Sequence, residues 1–90
     1  MKPLRWTSHA DKKLVNREVD RSEVERTLEH PDEVVGAYPG RDIYQRCYYD
    51  KILGQEMLLR VVVEETASEL IVVTLYKTSQ LARYARRPLQ

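Results

Sequence analysis

The chain has 90 residues, a length that fits one domain, and its composition of 42% hydrophobic and 32% charged residues is that of a globular protein. Cys47 is the only cysteine, which excludes an intrachain disulfide and favours a reducing, cytoplasmic compartment. The N-terminal residues lack the apolar stretch of a signal peptide, and apolar runs such as LIVVTLY are too short to span a bilayer, so we expect no membrane partner.

Charge is distributed unevenly, although the formal net charge is only +1. Residues 1–17 carry a local charge of +4, residues 18–36 carry −5, and residues 70–90 carry +4 without any acidic residue. If the two basic ends meet in the fold, they form a positive face that attracts a polyanion or an acidic protein. The alternative is that these charged ends are simply solvated.

The first third of the chain has the signals of a short strand and two helices. Residues 4–7 (LRWT) are an extended start, and Ser8 with Asp11 three residues later resembles a capping box. A second helix is expected after Asp20, which is its cap candidate, and it stops before Pro31.

From residue 33 the pattern changes to that of strands. Short polar links between four strand segments (EVVGAY, RDIYQRCYYD, EMLLRVVVEE and ELIVVTLYK) predict antiparallel hairpins. The sequence therefore predicts an α+β fold, with two N-terminal helices packed on one face of a four-stranded antiparallel meander sheet and a short C-terminal helix. We expect a single domain over residues 1–90, with its core at about 4–80 and a basic tail at 81–90.

Alternation along the predicted strands divides their residues between two faces of the sheet. The almost purely apolar face, which the helices should cover, takes Ile43, Cys47, Met57, Leu59, Val61, Val63, Ile71, Val73 and Leu75, with Gln45 as its one polar member. The opposite face takes Tyr44, Arg46, Tyr48, Leu58, Arg60, Val62, Val72, Thr74 and Tyr76. A three-residue turn at 66–68 places Arg60 opposite Thr74 and Leu58 opposite Tyr76, and a slip of one residue would exchange the faces.

The second face combines tyrosines and arginines on an aliphatic base. Guanidinium groups hold phosphates through paired hydrogen bonds, and aromatic rings stack on exposed bases, so this mixture is typical of a single-stranded RNA site. The alternative is a solvated sheet face, on which Arg60 pairs with an acid such as Glu56 or Asp42.

Other kinds of site find no support in the sequence. The two histidines and the cysteine have no ligand spacing, so we expect no metal. The three glycines are isolated turn residues rather than a phosphate-binding loop, and the serines and threonines have no triad context. We expect no cofactor.

Four segments together resemble a known family: WTSHA near the start, VERTLEHPDEV after the second cap, YQRCYY, and VVTLYKT at the end. Over roughly residues 4–80 the chain is similar to the small bacterial and archaeal proteins catalogued as domain of unknown function 4258. These resemble in architecture the RelE-like ribonuclease toxins and the wider barnase–EndoU–colicin–RelE group. One departure concerns turn geometry, because relatives usually show a glycine where this chain has Glu18.

The resemblance implies a single-domain endoribonuclease, or a descendant of one, that acts as the toxin of a toxin–antitoxin pair. Its partners would be RNA, in a ribosome-associated setting, and an antitoxin protein. Matched by position, the helix-start histidine of the family is His9 and its mid-strand arginine is Arg60. The Thr-x-Tyr pattern of the last strand is Thr74 and Tyr76.

Cleavage of RNA by its own 2′-hydroxyl requires a base, a cation for the charge on the phosphorus oxygens, and an acid for the leaving oxygen, but no metal. His9 is the candidate base, since the positive end of a helix dipole favours its neutral form. Arg60 is the candidate cation, and Tyr76 the candidate acid or positioning group.

The expected substrate-binding residues are Thr74, Arg46, Tyr44, Tyr48 and Lys77. Thr74 would hydrogen-bond a phosphate oxygen, and Arg46 or Lys77 would assist Arg60. Two alternatives stay open: His9 only binds backbone at a helix start, or the same fold is a non-catalytic module that binds RNA or a protein.

Overall fold

A computed structural model of the chain describes residues 2–84, which form three helices and five strands. In chain order they are β1 (Leu4–Trp6), α1 (Ser8–Asn16), α2 (Arg21–Glu29), β2 (Glu33–Tyr38), β3 (Arg41–Asp50), β4 (Gln55–Glu65), β5 (Leu70–Thr78) and α3 (Leu81–Tyr84). The strands form one sheet in the order β1-β5-β4-β3-β2. In the described part of the chain, no helix is long and apolar enough to cross a membrane.

The sheet is mixed, because β1 joins its edge and runs parallel to β5, with Leu4 opposite Leu70 and Trp6 opposite Val72. The predicted RelE-like arrangement of a four-stranded antiparallel meander with a C-terminal helix is therefore wrong. The sequence indicates the short extended segment at residues 4–7, but it does not show where this strand pairs, because its partner β5 lies at the other end of the chain. Of the predicted tail, the structure describes the single turn α3, and residues 85–90 lie outside the described residues.

Both N-terminal helices begin at polar caps and bury one apolar side. The cap of α1 is Thr7 rather than Ser8, and its Oγ1 accepts the backbone N–H of Ala10 at 3.0 Å. α2 follows Asp20, as predicted from the sequence. The helices pack on one face of the sheet, and the residues of this core are Ala10, Leu14, Val19, Val24, Leu28, Tyr48, Met57, Leu59, Val61, Val63, Leu70, Val72 and Leu75.

The face of β4 is as predicted, but the face of β3 is reversed. Tyr44 pairs with Val61 and Tyr48 pairs with Met57, so both tyrosines and the intervening Arg46 lie on the helix-covered face. The reason is the hairpin between β3 and β4, in which Asp50 pairs directly with Gln55. The length of this turn sets the register and hence the face of every β3 residue.

The register between β4 and β5 also differs from the prediction. Arg60 pairs with Tyr76 and Val62 pairs with Thr74, while the next pair is Val63 with Val72. Val73 is therefore the extra residue of a β-bulge. Because of this bulge, Val72 faces the core, where the sequence predicted Ile71 and Val73. The face opposite α1 and α2, here called the distal face, carries Ile43, Gln45, Cys47, Leu58, Arg60, Val62, Thr74 and Tyr76.

Candidate functional site

Four polar side chains form a row across the distal face, one from each of β2 to β5. In register, Glu33 lies opposite Gln45, Gln45 opposite Arg60, and Arg60 opposite Tyr76. Gln45 Nε2 donates to Glu33 Oε1 at 3.2 Å, and Arg60 Nε donates to Gln45 Oε1 at 3.0 Å. Arg60 Nη1 donates to the Tyr76 hydroxyl. The row is thus connected by hydrogen bonds from a carboxylate to a phenol.

Arg60 is the central member of this row and is only 8% exposed. A buried guanidinium is costly without partners, and here Gln45 and Tyr76 supply acceptors. Its carbon Cζ also lies 5.6 Å from the centroid of the Tyr76 ring. The sequence correctly indicated that this arginine needs partners, and Gln45 and Tyr76 are among them.

His9 reaches the same face from the first turn of α1. It is exposed, and its Nε2 lies 3.0 Å from Thr74 Oγ1, with a donor or acceptor role that depends on the tautomer. Thr7 causes this approach, because its hydroxyl lies 3.1 and 3.0 Å from the carbonyl oxygens of Val72 and Val73. The start of α1 is therefore fastened to β5 where the pairing with β1 ends.

The histidine pair and the arginine pair lie next to each other. Thr74 and Tyr76 are two residues apart on β5, so they point to the same face with about 7 Å between their Cα atoms. His9 contacts Thr74, and Arg60 contacts Tyr76. The structure thus brings together the four residues that the resemblance singled out, although they come from three different elements.

The other four predicted substrate-binding residues lie on the helix-covered face. Arg46 forms an ion pair with Glu23 of α2, with 2.5 Å between Nη2 and Oε1. Tyr44 packs against the core, and burial raises the pKa of its phenol. Tyr48 and Lys77 are also turned toward this side. The reversed face of β3 separates the three residues of that strand from Arg60.

Tyr48 and Lys77 meet at Asp50, which is 3% exposed. Lys77 Nζ donates to Asp50 Oδ2 at 2.6 Å, and the Tyr48 hydroxyl donates to the same oxygen at 3.0 Å. Asp50 Oδ1 accepts the backbone N–H groups of Ile52 and Leu53. The bond from Lys77 is the main cause that lowers the pKa of Asp50 to about 2, against the opposing effect of burial.

Sequence reasoning missed the role of Gln45, which it placed among apolar residues facing the helices. The available signal was the rule that a buried amide needs hydrogen-bond partners. Cys47 lies on the distal face rather than on the helix-covered face predicted for it, and burial together with the carboxylate of Asp32 raises the pKa of its thiol. Within residues 2–84, no group of three or more potential metal ligands is found.

A comparison with known protein families finds a match for this chain. Neither the curated proteins nor the solved structures contain a significant match to this chain. The family described as Domain of unknown function (DUF4258) matches residues 6–77, a range that contains His9, Arg60, Thr74 and Tyr76. The match covers most of the chain and confirms this part of the resemblance. The chain is therefore a member of the DUF4258 family.

Proposed function

We propose that the β5 side of the distal face is the active site of a metal-independent endoribonuclease. The observation that carries this proposal is the adjacency of two contacts, His9 with Thr74 and Arg60 with Tyr76, on consecutive same-face positions of β5. These residues provide a base, a cation and an acid side by side, which is the set that cleavage by the 2′-hydroxyl of RNA requires.

In this mechanism His9 takes the proton of the 2′-hydroxyl, and the 2′-oxygen attacks the adjacent phosphorus. A bond forms between phosphorus and the 2′-oxygen, while the bond to the 5′-oxygen breaks. Tyr76 protonates the leaving 5′-oxygen. The products are a 2′,3′-cyclic phosphate and a 5′-hydroxyl, and the proton on His9 returns through solvent to Tyr76.

The contacts of each residue suit its role. Arg60 holds a permanent positive charge for the oxygens on phosphorus, and the low exposure around it strengthens that interaction. The Tyr76 oxygen accepts a hydrogen bond from Arg60, so the phenol hydrogen points elsewhere and can be donated to substrate. Thr74 holds His9 and offers its hydroxyl to a phosphate oxygen.

The relation to RelE-like toxins belongs to this proposal. It extends the site to a cellular role, in which the domain cleaves RNA in the cytoplasm and is held inactive by an antitoxin protein. We expect expression of the wild-type chain to arrest growth of a bacterial host, and expression of His9→Ala to leave growth unaffected. Growth arrest by both proteins at equal levels would contradict a catalytic toxin.

The direct test is cleavage of a labelled single-stranded RNA in the presence of a chelator. We expect His9→Ala and Arg60→Lys to reduce the cleavage rate by about 100-fold or more, while both remain folded by circular dichroism. His30→Ala is the matched control, because His30 is the exposed C-cap of α2 and contributes nothing to the distal face. A 2′-deoxy substitution at the cleaved nucleotide should abolish the reaction.

The outcomes separate the enzyme from a binding module. Equal cleavage by wild type and His9→Ala would point to a contaminating nuclease. If the wild-type chain binds RNA without cleaving it, and Arg60→Lys weakens that binding, the proposed enzyme is wrong. The same face is then a non-catalytic RNA-binding module.

A further inference from the structure

Gln45 lies between a carboxylate and a guanidinium in the row that crosses the distal face. Gln45 is 2% exposed, which makes it the least accessible residue of the row. Its Oε1 accepts from Arg60 Nε at 3.0 Å, and its Nε2 donates to Glu33 Oε1 at 3.2 Å. The amide is thus engaged at both of its ends.

The two neighbours determine which way this amide faces. A guanidinium can only donate and an ionised carboxylate can only accept, so the amide oxygen must face Arg60 and the amide nitrogen must face Glu33. Glu33 therefore stabilises the orientation in which Gln45 presents an acceptor to Arg60. The amide in turn holds the Nε edge of the guanidinium, so that the Nη edge is directed toward Tyr76.

A glutamine has an advantage over other residues at this position. A glutamate would also accept from Arg60 Nε, but it would form an ion pair and neutralise the charge that a phosphate needs. An apolar residue would leave the Nε–H without this acceptor. A neutral amide orients the guanidinium and adds no charge.

We propose that Gln45 is a positioning residue that fixes the Arg60 guanidinium for a substrate phosphate without neutralising it. This inference rests on the proposed function of the distal face and deepens it. Glu33 supports the arrangement from the end of the row, where this β2 residue lies opposite Gln45 of β3.

Two substitutions of Gln45 distinguish the effect of the Arg60 orientation from the effect of an added charge. Gln45→Met has a similar length but neither hydrogen bond, and Gln45→Glu keeps the acceptor but adds a negative charge. Gln55→Met is the matched control, because Gln55 is exposed at the start of β4. The measurements are kcat and KM for RNA cleavage and the salt dependence of RNA binding.

We expect Gln45→Met to lower kcat by about 10-fold to 100-fold with little change in KM, because a misoriented cation mainly weakens transition-state stabilisation. Gln45→Glu should weaken binding as well, and the slope of log K against log salt should fall by about 0.7, the value of one phosphate contact on a single strand. Gln55→Met should behave as wild type. Wild-type kcat and salt slope in both Gln45 variants would overturn the inference.

A second readout does not depend on RNA. The Nε–H signal of Arg60 in ¹⁵N NMR, assigned by its loss in Arg60→Lys, should exchange slowly in wild type and in Gln45→Glu. In Gln45→Met it should shift and exchange at least 10-fold faster, while the melting temperature shows that the variant is folded. An unchanged signal in Gln45→Met would overturn the positioning role even where RNA is cleaved. Absence of RNA cleavage and binding in wild type would refute the proposed function, and the NMR result would then decide the positioning role alone.

Discussion

The two faces of the sheet each hold a buried polar cluster, and β5 contributes to both. On the helix-covered face, Lys77 joins Tyr48 at Asp50. On the distal face, Tyr76 joins Arg60. Adjacent residues of one strand therefore serve opposite sides, as the alternation of side chains along a strand requires.

The clusters differ in how their polar groups are used. Asp50 is surrounded by donors from the protein, namely a lysine, a tyrosine and two backbone N–H groups of the turn after β3. This Asp50 cluster connects the turn to the end of β5, and its members hydrogen-bond to one another. The distal row instead ends beside the exposed His9, which is linked to the fold through Thr74. Comparable burial of polar groups thus stabilises the fold on one face and, in the proposed function, prepares a ligand site on the other.

The strongest test of this contrast removes one hydroxyl from each face. Tyr76→Phe should lower RNA cleavage by about 100-fold, equivalent to about 2.7 kcal/mol, because it removes the proposed acid and the acceptor of Arg60 Nη1. Tyr48→Phe should leave cleavage within about twofold but lower the free energy of unfolding by about 1–2 kcal/mol, since Asp50 loses a donor. Cleavage rates and urea unfolding of both variants measure the two effects. Equal losses of activity in the two variants would remove the functional distinction between the faces.

The next largest effect concerns acid stability. The pKa of Asp50 is lowered from 3.8 to about 2, chiefly by the hydrogen bond from Lys77, so the unfolded chain takes up this proton before the folded one. Stability from Asp50 is therefore complete above about pH 5 and is lost as the pH falls from about 4 to 2. Asp50→Asn should lose about 2 kcal/mol at neutral pH, because a charged acceptor is removed. Its stability should then vary less than that of wild type over this acid window, as measured by urea unfolding. A parallel pH dependence in both proteins would show that other carboxylates control acid unfolding.

The smallest expected effect is at Glu18, which lies at the edge of the Asp50 cluster. Its backbone carbonyl accepts a hydrogen bond from Lys77 Nζ at 3.3 Å. Its φ of 53° is in the left-handed region, which disfavours side chains with a Cβ and suits the glycine that the resemblance led us to expect here. Glu18→Gly should therefore raise the free energy of unfolding by about 0.5–1 kcal/mol without changing RNA cleavage, as measured by thermal unfolding. The adjacent Arg17 has a φ of −99°, so the control Arg17→Gly should destabilise the protein. Stabilisation by both substitutions would indicate that strain at Glu18 is not the cause.

Some features of the fold follow directly from local signals in the sequence. The helix after Asp20 was predicted at its observed start, and the four long strands were recognised from their β-branched and aromatic residues. The face of β4 was also predicted correctly, because its alternation from Met57 to Val63 is unambiguous. In β3 both alternating sets contain apolar residues, so alternation alone did not determine which set faces the helices.

The sequence by itself determined the α+β content, the requirement of Arg60 for a partner and the membership of the DUF4258 family. Only the tertiary structure decided that β1 extends the sheet, that Tyr44 and Tyr48 lie under the helices, and that His9 meets Thr74 across 65 positions of the chain. The physical reason is the distance along the chain over which each kind of interaction acts. Caps, turns and alternation act over a few residues, whereas strand register and the contacts of a helix end depend on packing between distant segments.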